Sequence, residues 1–307
     1  MKYYIYLALM LLAGRCAFAQ NSPTNYEWNV TIKVIDENGS PVARATASVG
    51  YYTNSTPASM DGETDINGRF MARHSARTDL NQLGFDVEKA GYYSTRQGYL
   101  LEPPYDPLKW NPTVTLVLKK VEKPIAMYAK FINKNPPVLG QPVGYDLMIG
   151  DWVGSNGKGV NADIIFQKEA YRKSGMDYEY KEKVTFPKPG DGIQIYTIPD
   201  SEKGSGLRSP HEAPLEGYQP ELNKERSAHP GQPTKNDYDP SRIYFFRVRT
   251  VKDHEGNIVS AHYGKIYGDF MQFSYYLNST PNDRNIEFDL KQNLLGGLDP
   301  LEQVTAP

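Results

Sequence analysis

The 307-residue chain has one cysteine, Cys16. It has no apolar run of the roughly 20 residues that a bilayer-spanning helix needs, and it has no dominant charge: 34 basic residues stand against 36 acidic ones, a net charge of -2. That balance offers no basic field for nucleic acid or an anionic membrane. The five histidines, His74, His211, His229, His254 and His262, never have a glutamate three positions later, and no His-Glu-x-x-His run occurs. The zinc-peptidase spacings are therefore missing. Also missing are a Gly-x-Ser-x-Gly nucleophile elbow and a dinucleotide fingerprint. Gly157-Lys158 resembles the end of a phosphate loop, but Gly159 stands where Ser or Thr is required.

The first twenty residues have a direction. Lys2 is followed by the short apolar run from Ile5 to Ala13, then by Ala17-Phe18-Ala19 before Gln20. This is the layout of a secretory signal peptide, residues 1–19, cleaved after Ala19. A lipoprotein reading with Cys16 as the anchor is disfavoured, because Arg15 stands where such signals place a small residue. Cleavage removes Cys16, so the mature chain would carry no thiol, no disulfide and no cysteine-ligated metal. It would have no transmembrane segment and would work in the periplasm, at the cell surface or outside the cell.

What is present is strand signal. Tyrosine (23) outnumbers phenylalanine (11), as suits half-buried strand positions. Trp28 to Ile35 alternates and is rich in β-branched residues, and Asp36-Glu37-Asn38-Gly39 turns the chain. Ala45, Ala47 and Val49 share a face, as do Leu83, Phe85 and Val87, and Thr113 to Val121 closes the set. Short strands between turn signals predict a sandwich over 26–122. Four features in order carry a resemblance: Gly39-Ser40-Pro41-Val42 with Ala45; Thr64-Asp65-Ile66-Asn67-Gly68-Arg69-Phe70; Lys89-Ala90-Gly91-Tyr92; and the Thr113 to Leu118 strand. Together they resemble the carboxypeptidase regulatory-like domain, a transthyretin-like β-sandwich. The resemblance covers about a third of the chain and implies a non-catalytic scaffold.

Lys123-Pro124 marks a boundary, and 123–307 reads as a second β-rich unit of unknown family. Strand patterns fall at Ile125 to Phe131, Gly144 to Ile149, Asn161 to Phe166, Tyr178 to Phe186, Gly192 to Ile198, Arg242 to Val251, Ile258 to Tyr263 and Phe270 to Leu277. Asn285 to Leu295 reads as a strand followed by a short helix. Between them, 199–240 is rich in Pro, Gly, Ser and charge, lacks periodicity, and reads as a flexible loop. The fold class is thus all-β: an N-terminal Ig/transthyretin-like sandwich, then a second sandwich or jelly-roll-like domain with a long irregular insertion.

The Asp/Gly turns at 36–39, 65–68 and 253–256 lack the ligand spacing of a calcium loop and read as hairpin turns. No catalytic residue, metal site or cofactor is assigned. The aromatic residues Tyr99, Tyr105, Trp110, Tyr145 and Trp152 are the candidate ligand-binding set, because rings stack on sugars and on peptide side chains. The expected function is an exported, non-catalytic binding or scaffold protein of the bacterial envelope, with a glycan or another envelope protein as partner. The alternative is a secreted hydrolase with its site in the second domain, under 199–240 acting as a lid.

Overall fold

The computed structural model describes residues 26–53, 56–76, 82–100, 112–270 and 272–307. The proposed signal peptide and Cys16 lie outside them. Among the described residues the chain is all-β, in two sandwiches with short 3-10 turns.

The first sandwich comprises β1 (Tyr26–Asp36), β2 (Thr46–Thr53), β3 (Thr56–Glu63), β4 (Arg69–Ala76), β5 (Gln82–Glu88), β6 (Thr95–Leu100) and β7 (Thr113–Leu118). A three-stranded sheet runs β4-β1-β7 and a four-stranded sheet β3-β2-β5-β6. The alternation in the sequence decides which side chains face inward. Val30, Ile32 and Val34 of β1 meet Ala47 and Val49 of β2 and Leu83, Phe85 and Val87 of β5 in one core. Each large side chain buried this way contributes about 1.5–3 kcal/mol. The turns follow their sequence signals. Asp65 accepts from the Asn67 and Arg69 amides at 2.9 and 2.8 Å. Gly68 has φ +71°, and a Cβ there would lie 2.3 Å from the Val34 carbonyl, so only glycine fits. Asp36 and Asp253 accept from the amides two and four residues on in the same way.

The second sandwich comprises β8 (Ile125–Ile132), β9 (Val143–Asp146), β10 (Asp151–Trp152), β11 (Ile164–Ser174), β12 (Asp177–Thr185), β13 (Gly192–Thr197), β14 (Glu221–Ala228), β15 (Lys235–Asn236), β16 (Arg242–Lys252), β17 (Ile258–Asp269), β18 (Gln272–Asn278) and β19 (Phe288–Asn293). Its six-stranded sheets run β10-β9-β11-β12-β14-β15 and β13-β16-β17-β18-β8-β19. Tyr244, Phe246 and Val248 of β16 face the core between the sheets. Ile243 and Phe245 face the other way, into a second core with Met127, Tyr267, Tyr276 and Phe288. This sheet is buried on both faces, which is why β16 reads as a nearly unbroken apolar run.

That second face explains where the sequence expectation for 199–240 differs from the structure. The segment contains β14 and β15, and β14 pairs with β12 over eight residues, from Tyr178↔Ala228 to Thr185↔Glu221. Its irregular half, 199–220, buries Leu207, Ser209 and Ala213. β14 is highly charged (Glu-Leu-Asn-Lys-Glu-Arg-Ser-Ala) with Leu222 its one large apolar residue, so it lacks the apolar alternation that marks a strand. After β19 the chain forms only the 3-10 turn Pro300–Glu302, in place of the expected short helix.

Candidate functional site

The structure separates the aromatic candidates. Tyr145 and Trp152 come together, with ring centroids 4.9 Å apart and edge-to-face. Tyr145, however, is 2 % exposed. Its neighbours are Phe166 and Tyr275, and burial pushes its hydroxyl well above the usual tyrosine range. Trp152 is half-buried and packs on the same core. The pair is a core cluster rather than a ligand platform. The physical reason is that β9 and β10 pair Tyr145 with Trp152 at the inner face of the sheet. The backbone of Tyr99 pairs with Leu83 across β5 and β6, and its side chain lies outside the described residues. Tyr105 and Trp110 lie outside them entirely.

Two other arrangements are built with more care. The first is a polar seam between the sandwiches. Glu287 is 1 % exposed. It accepts from the Tyr93 hydroxyl at 2.7 Å and from the Glu122 and Lys123 amides at 3.0 and 2.7 Å. His211 bridges two carboxylates: Nε2 is 3.1 Å from Glu37 and Nδ1 is 3.3 Å from Glu287. Burial alone would lower the His211 pKa, but the two carboxylates raise it above the ordinary histidine value. Burial alone would raise Glu37, but His211 and Lys119 hold it below the ordinary carboxylate value.

Ser209 stands at the centre of this seam. Its carbonyl accepts from Lys119 of the first sandwich at 3.0 Å, and its hydroxyl lies 3.2 Å from Nζ of Lys265 in the second. The Lys119 ammonium also pairs with Glu202 at 2.7 Å. Lys265 is wholly buried between the rings of Tyr267 and Tyr276. Gly204 reaches the first sandwich so closely that a Cβ would lie 2.3 Å from the Arg96 carbonyl. These contacts tie 202–211 to both domains, so the segment cannot swing as a lid without breaking them.

The second arrangement is the outer face of β11, β12, β14 and β15. An open groove of about 400 Å³ there is lined by Glu169, Lys181, Lys183, Asn223, Glu225 and Lys235, among others. Strand register sets the charges in a row. Glu169 lies opposite Lys181 and Lys181 opposite Glu225. Glu225 in turn pairs with Lys235 at 2.5 Å. Lys183 and Glu221 pair at 2.8 Å beside this row. Period-2 strands put these residues on one face, but sequence alone cannot say which strands are neighbours, so this row was invisible before the fold was known.

An acidic trio in the second sandwich is accounted for internally. The Arg249 guanidinium reaches Asp163 and Asp146, each at 2.8 Å, and Asp191 accepts from the Thr250 and Arg249 amides. Arg249 has φ +56° beside a bulge in β16. The arginine occupies the space between the carboxylates that a cation would need, and among the described residues no group of histidine, cysteine and acidic side chains is placed to hold a metal. No helix among the described residues is long and apolar enough to cross a membrane.

No protein-family model matches the chain, and no curated protein matches it in sequence. Among solved structures, 3-chlorocatechol 1,2-dioxygenase from Rhodococcus opacus aligns at 15% identity and TM-score 0.26, over 33% of this chain and 63% of that one. A streptococcal ancillary pilin aligns at 12% identity and TM-score 0.24, over 80% of this chain and 60% of that one. The chain thus spans less than two thirds of the length of either. The major pilin subunit BcpA of Bacillus cereus aligns at 12% identity and TM-score 0.23, over 82% of this chain and 96% of that one.

Proposed function

We propose that this chain is an exported, non-catalytic scaffold protein of the bacterial envelope, and that its partner is another envelope protein rather than a glycan. The first sandwich is a carboxypeptidase regulatory-like module on this reading, carried by its ordered turn and strand motifs. The signal-peptide layout of residues 1–19 supports export.

The observation that carries the choice of partner is the charge row Glu169–Lys181–Glu225–Lys235 on an open sheet face. Sugars bind by stacking on exposed rings. A row of alternating charge instead matches a charged polypeptide surface and fixes its register. The polar seam supports the scaffold part of the reading, since it ties the two sandwiches together as a polypeptide spacer would require.

The test has two parts. Residues 1–19 fused to a periplasmic reporter should direct its export. A photo-crosslinker at Asn223 should capture an envelope protein in cells, and the adduct should be lost in a Lys181→Glu/Lys183→Glu variant. Cytoplasmic retention of the reporter, or glycan-array binding by the purified protein that the variant leaves intact, would overturn the proposal.

A further inference from the structure

Strand β11 has one closed edge and one that is closed only in part. On one side it pairs with β12 along nearly its whole length. On the other it pairs with β9 only at Ile164, Ile165 and Phe166, and the last contact on that side is the Gly140 amide donating to the Lys168 carbonyl at 2.8 Å. From Glu169 to Ser174 no described strand covers this edge. Because backbone groups alternate sides along a strand, the outward N–H and C=O after Lys168 belong to Ala170 and Arg172. The register with β12 is regular as far as Arg172.

We propose that this edge pairs with the same edge of a second copy of the chain, antiparallel, about a two-fold axis at Tyr171. The segment Glu169-Ala170-Tyr171-Arg172-Lys173 is self-complementary in that register. Ala170 faces Arg172 of the second copy as a hydrogen-bonded pair, and the symmetry repeats it, giving about four backbone bonds. Tyr171 faces its own counterpart in a close, non-hydrogen-bonded pair, the setting in which aromatic cross-strand contacts contribute most. Glu169 faces Lys173 of the second copy, twice. The charge row Lys235–Glu225–Lys181–Glu169 therefore continues across the axis with its alternation intact.

Apolar side chains at both ends of the edge fit the same arrangement. Met176, at the tip of the β11–β12 hairpin, is 78 % exposed, and Val138 and Leu139, beside Gly140 at the other end, are 41 % and 50 % exposed. In the two-fold register the hairpin tip of each copy comes against the 138–140 loop of the other. Isologous pairing buries both sites at once. Charged residues on a strand edge can also serve to prevent pairing. The two roles differ in one respect: a purely protective edge works with charge of either sign, whereas this pairing needs Glu opposite Lys. The proposal deepens the scaffold reading by naming one partner, and it is tested without reference to compartment.

Sedimentation of the purified protein over a concentration series tests it. The wild type should show a reversible monomer–dimer equilibrium. Glu169→Lys and Lys173→Glu should each weaken the dimer at least tenfold. An equimolar mixture of the two variants should recover it as a heterodimer, and the Glu169→Lys/Lys173→Glu double variant should recover it alone. Both sites are exposed, so at concentrations where all the proteins are monomeric circular dichroism and Tm should stay at the wild-type values. With copper phenanthroline and dissolved oxygen as the oxidant, a Cys16→Ser/Tyr171→Cys variant should form a disulfide-linked dimer, because directly opposed residues in a non-hydrogen-bonded pair have the Cα spacing of a disulfide, about 4.5 Å. Wild-type protein that stays monomeric into the millimolar range would overturn the proposal. So would a Glu169→Lys variant that dimerises as well as the wild type, or a mixture of the two single variants that fails to recover the dimer.

Discussion

The Tyr93 hydroxyl donates to Glu287 at 2.7 Å, across 194 residues of chain and from one sandwich to the other. Removing that donor by Tyr93→Phe should cost about 1.5–3 kcal/mol, the range for a hydrogen bond to a charged group. Glu287→Ala should cost more, because the Glu122 and Lys123 amides lose their acceptor as well. Urea denaturation would measure both. The Glu287→Ala curve should split into two transitions as the sandwiches uncouple, and a single transition with wild-type midpoint would contradict the seam as drawn.

The seam should also respond to pH, with a sign fixed by its two titrating groups. The folded His211 pKa lies above the ordinary 6.5, so its contribution is full below that value and is lost as pH rises through the folded value. The folded Glu37 pKa lies below the ordinary 4.5, so its contribution is present above that value and is lost as pH falls through the folded value. The seam is therefore tightest between these limits. As pH rises above 6.5 the wild type should lose the His211 contribution and His211→Gln should not, so the difference in unfolding free energy between the two proteins should shrink. Equal slopes in the two proteins would remove His211 from the account.

Lys265 carries the opposite expectation. Burial pushes its pKa well below the usual lysine range, and Lys119 and Arg208 push the same way against Glu287. The unfolded chain thus binds a proton that the folded chain holds poorly, and stability rises with pH through that interval. Lys265→Met fills the same space without charge, so it should be neutral or stabilising near neutral pH and should flatten that slope. Lys119→Met should destabilise, because it strips Glu202 of its partner. Thermal melts at several pH values would separate the two lysines.

Arg249 holds two nearly inaccessible carboxylates, Asp146 and Asp163. Arg249→Met removes the counter-ion of both charges, leaving only backbone amides to them, and should cost about 3–5 kcal/mol. Suppressor substitutions at Asp146 or Asp163 to Asn should recover part of the loss. A loss below about 1 kcal/mol in chemical denaturation would show that the backbone amides donating to them, not the guanidinium, stabilise these carboxylates.

The strands of the first sandwich were legible because its core is built from alternation: Ala47 and Val49, and Leu83, Phe85 and Val87, sit inward as their spacing requires. The Asp-x-x-Gly turns were legible because their bonds are local, spanning two to four residues. β14 was not, since Leu222 is its one large apolar side chain and the inward positions after it are Lys224 and Arg226, which give no apolar period. The seam was equally hidden, because Glu37, Tyr93, Ser209, His211 and Glu287 are brought together only by tertiary folding. Tyr145 and Trp152 show the converse failure. Composition marked them as rings able to bind, but only the packing of β9 against β11 shows that the Tyr145 ring is already satisfied inside the core.

Glu287 follows Tyr93 by 194 residues, and that spacing imposes an order on assembly. Whether from a ribosome or from an export channel, a chain emerges N-terminus first, and domains generally fold as units in that order. Tyr93 and the amides of Glu122 and Lys123 are therefore made long before the carboxylate that receives them. The first sandwich must hold its shape alone until the second has emerged, with the seam residues Lys119 and Tyr93 still in water. Docking therefore waits for Glu287, and a chain truncated before it would present two folded or half-folded sandwiches without the carboxylate that joins Tyr93 to the Glu122 and Lys123 amides.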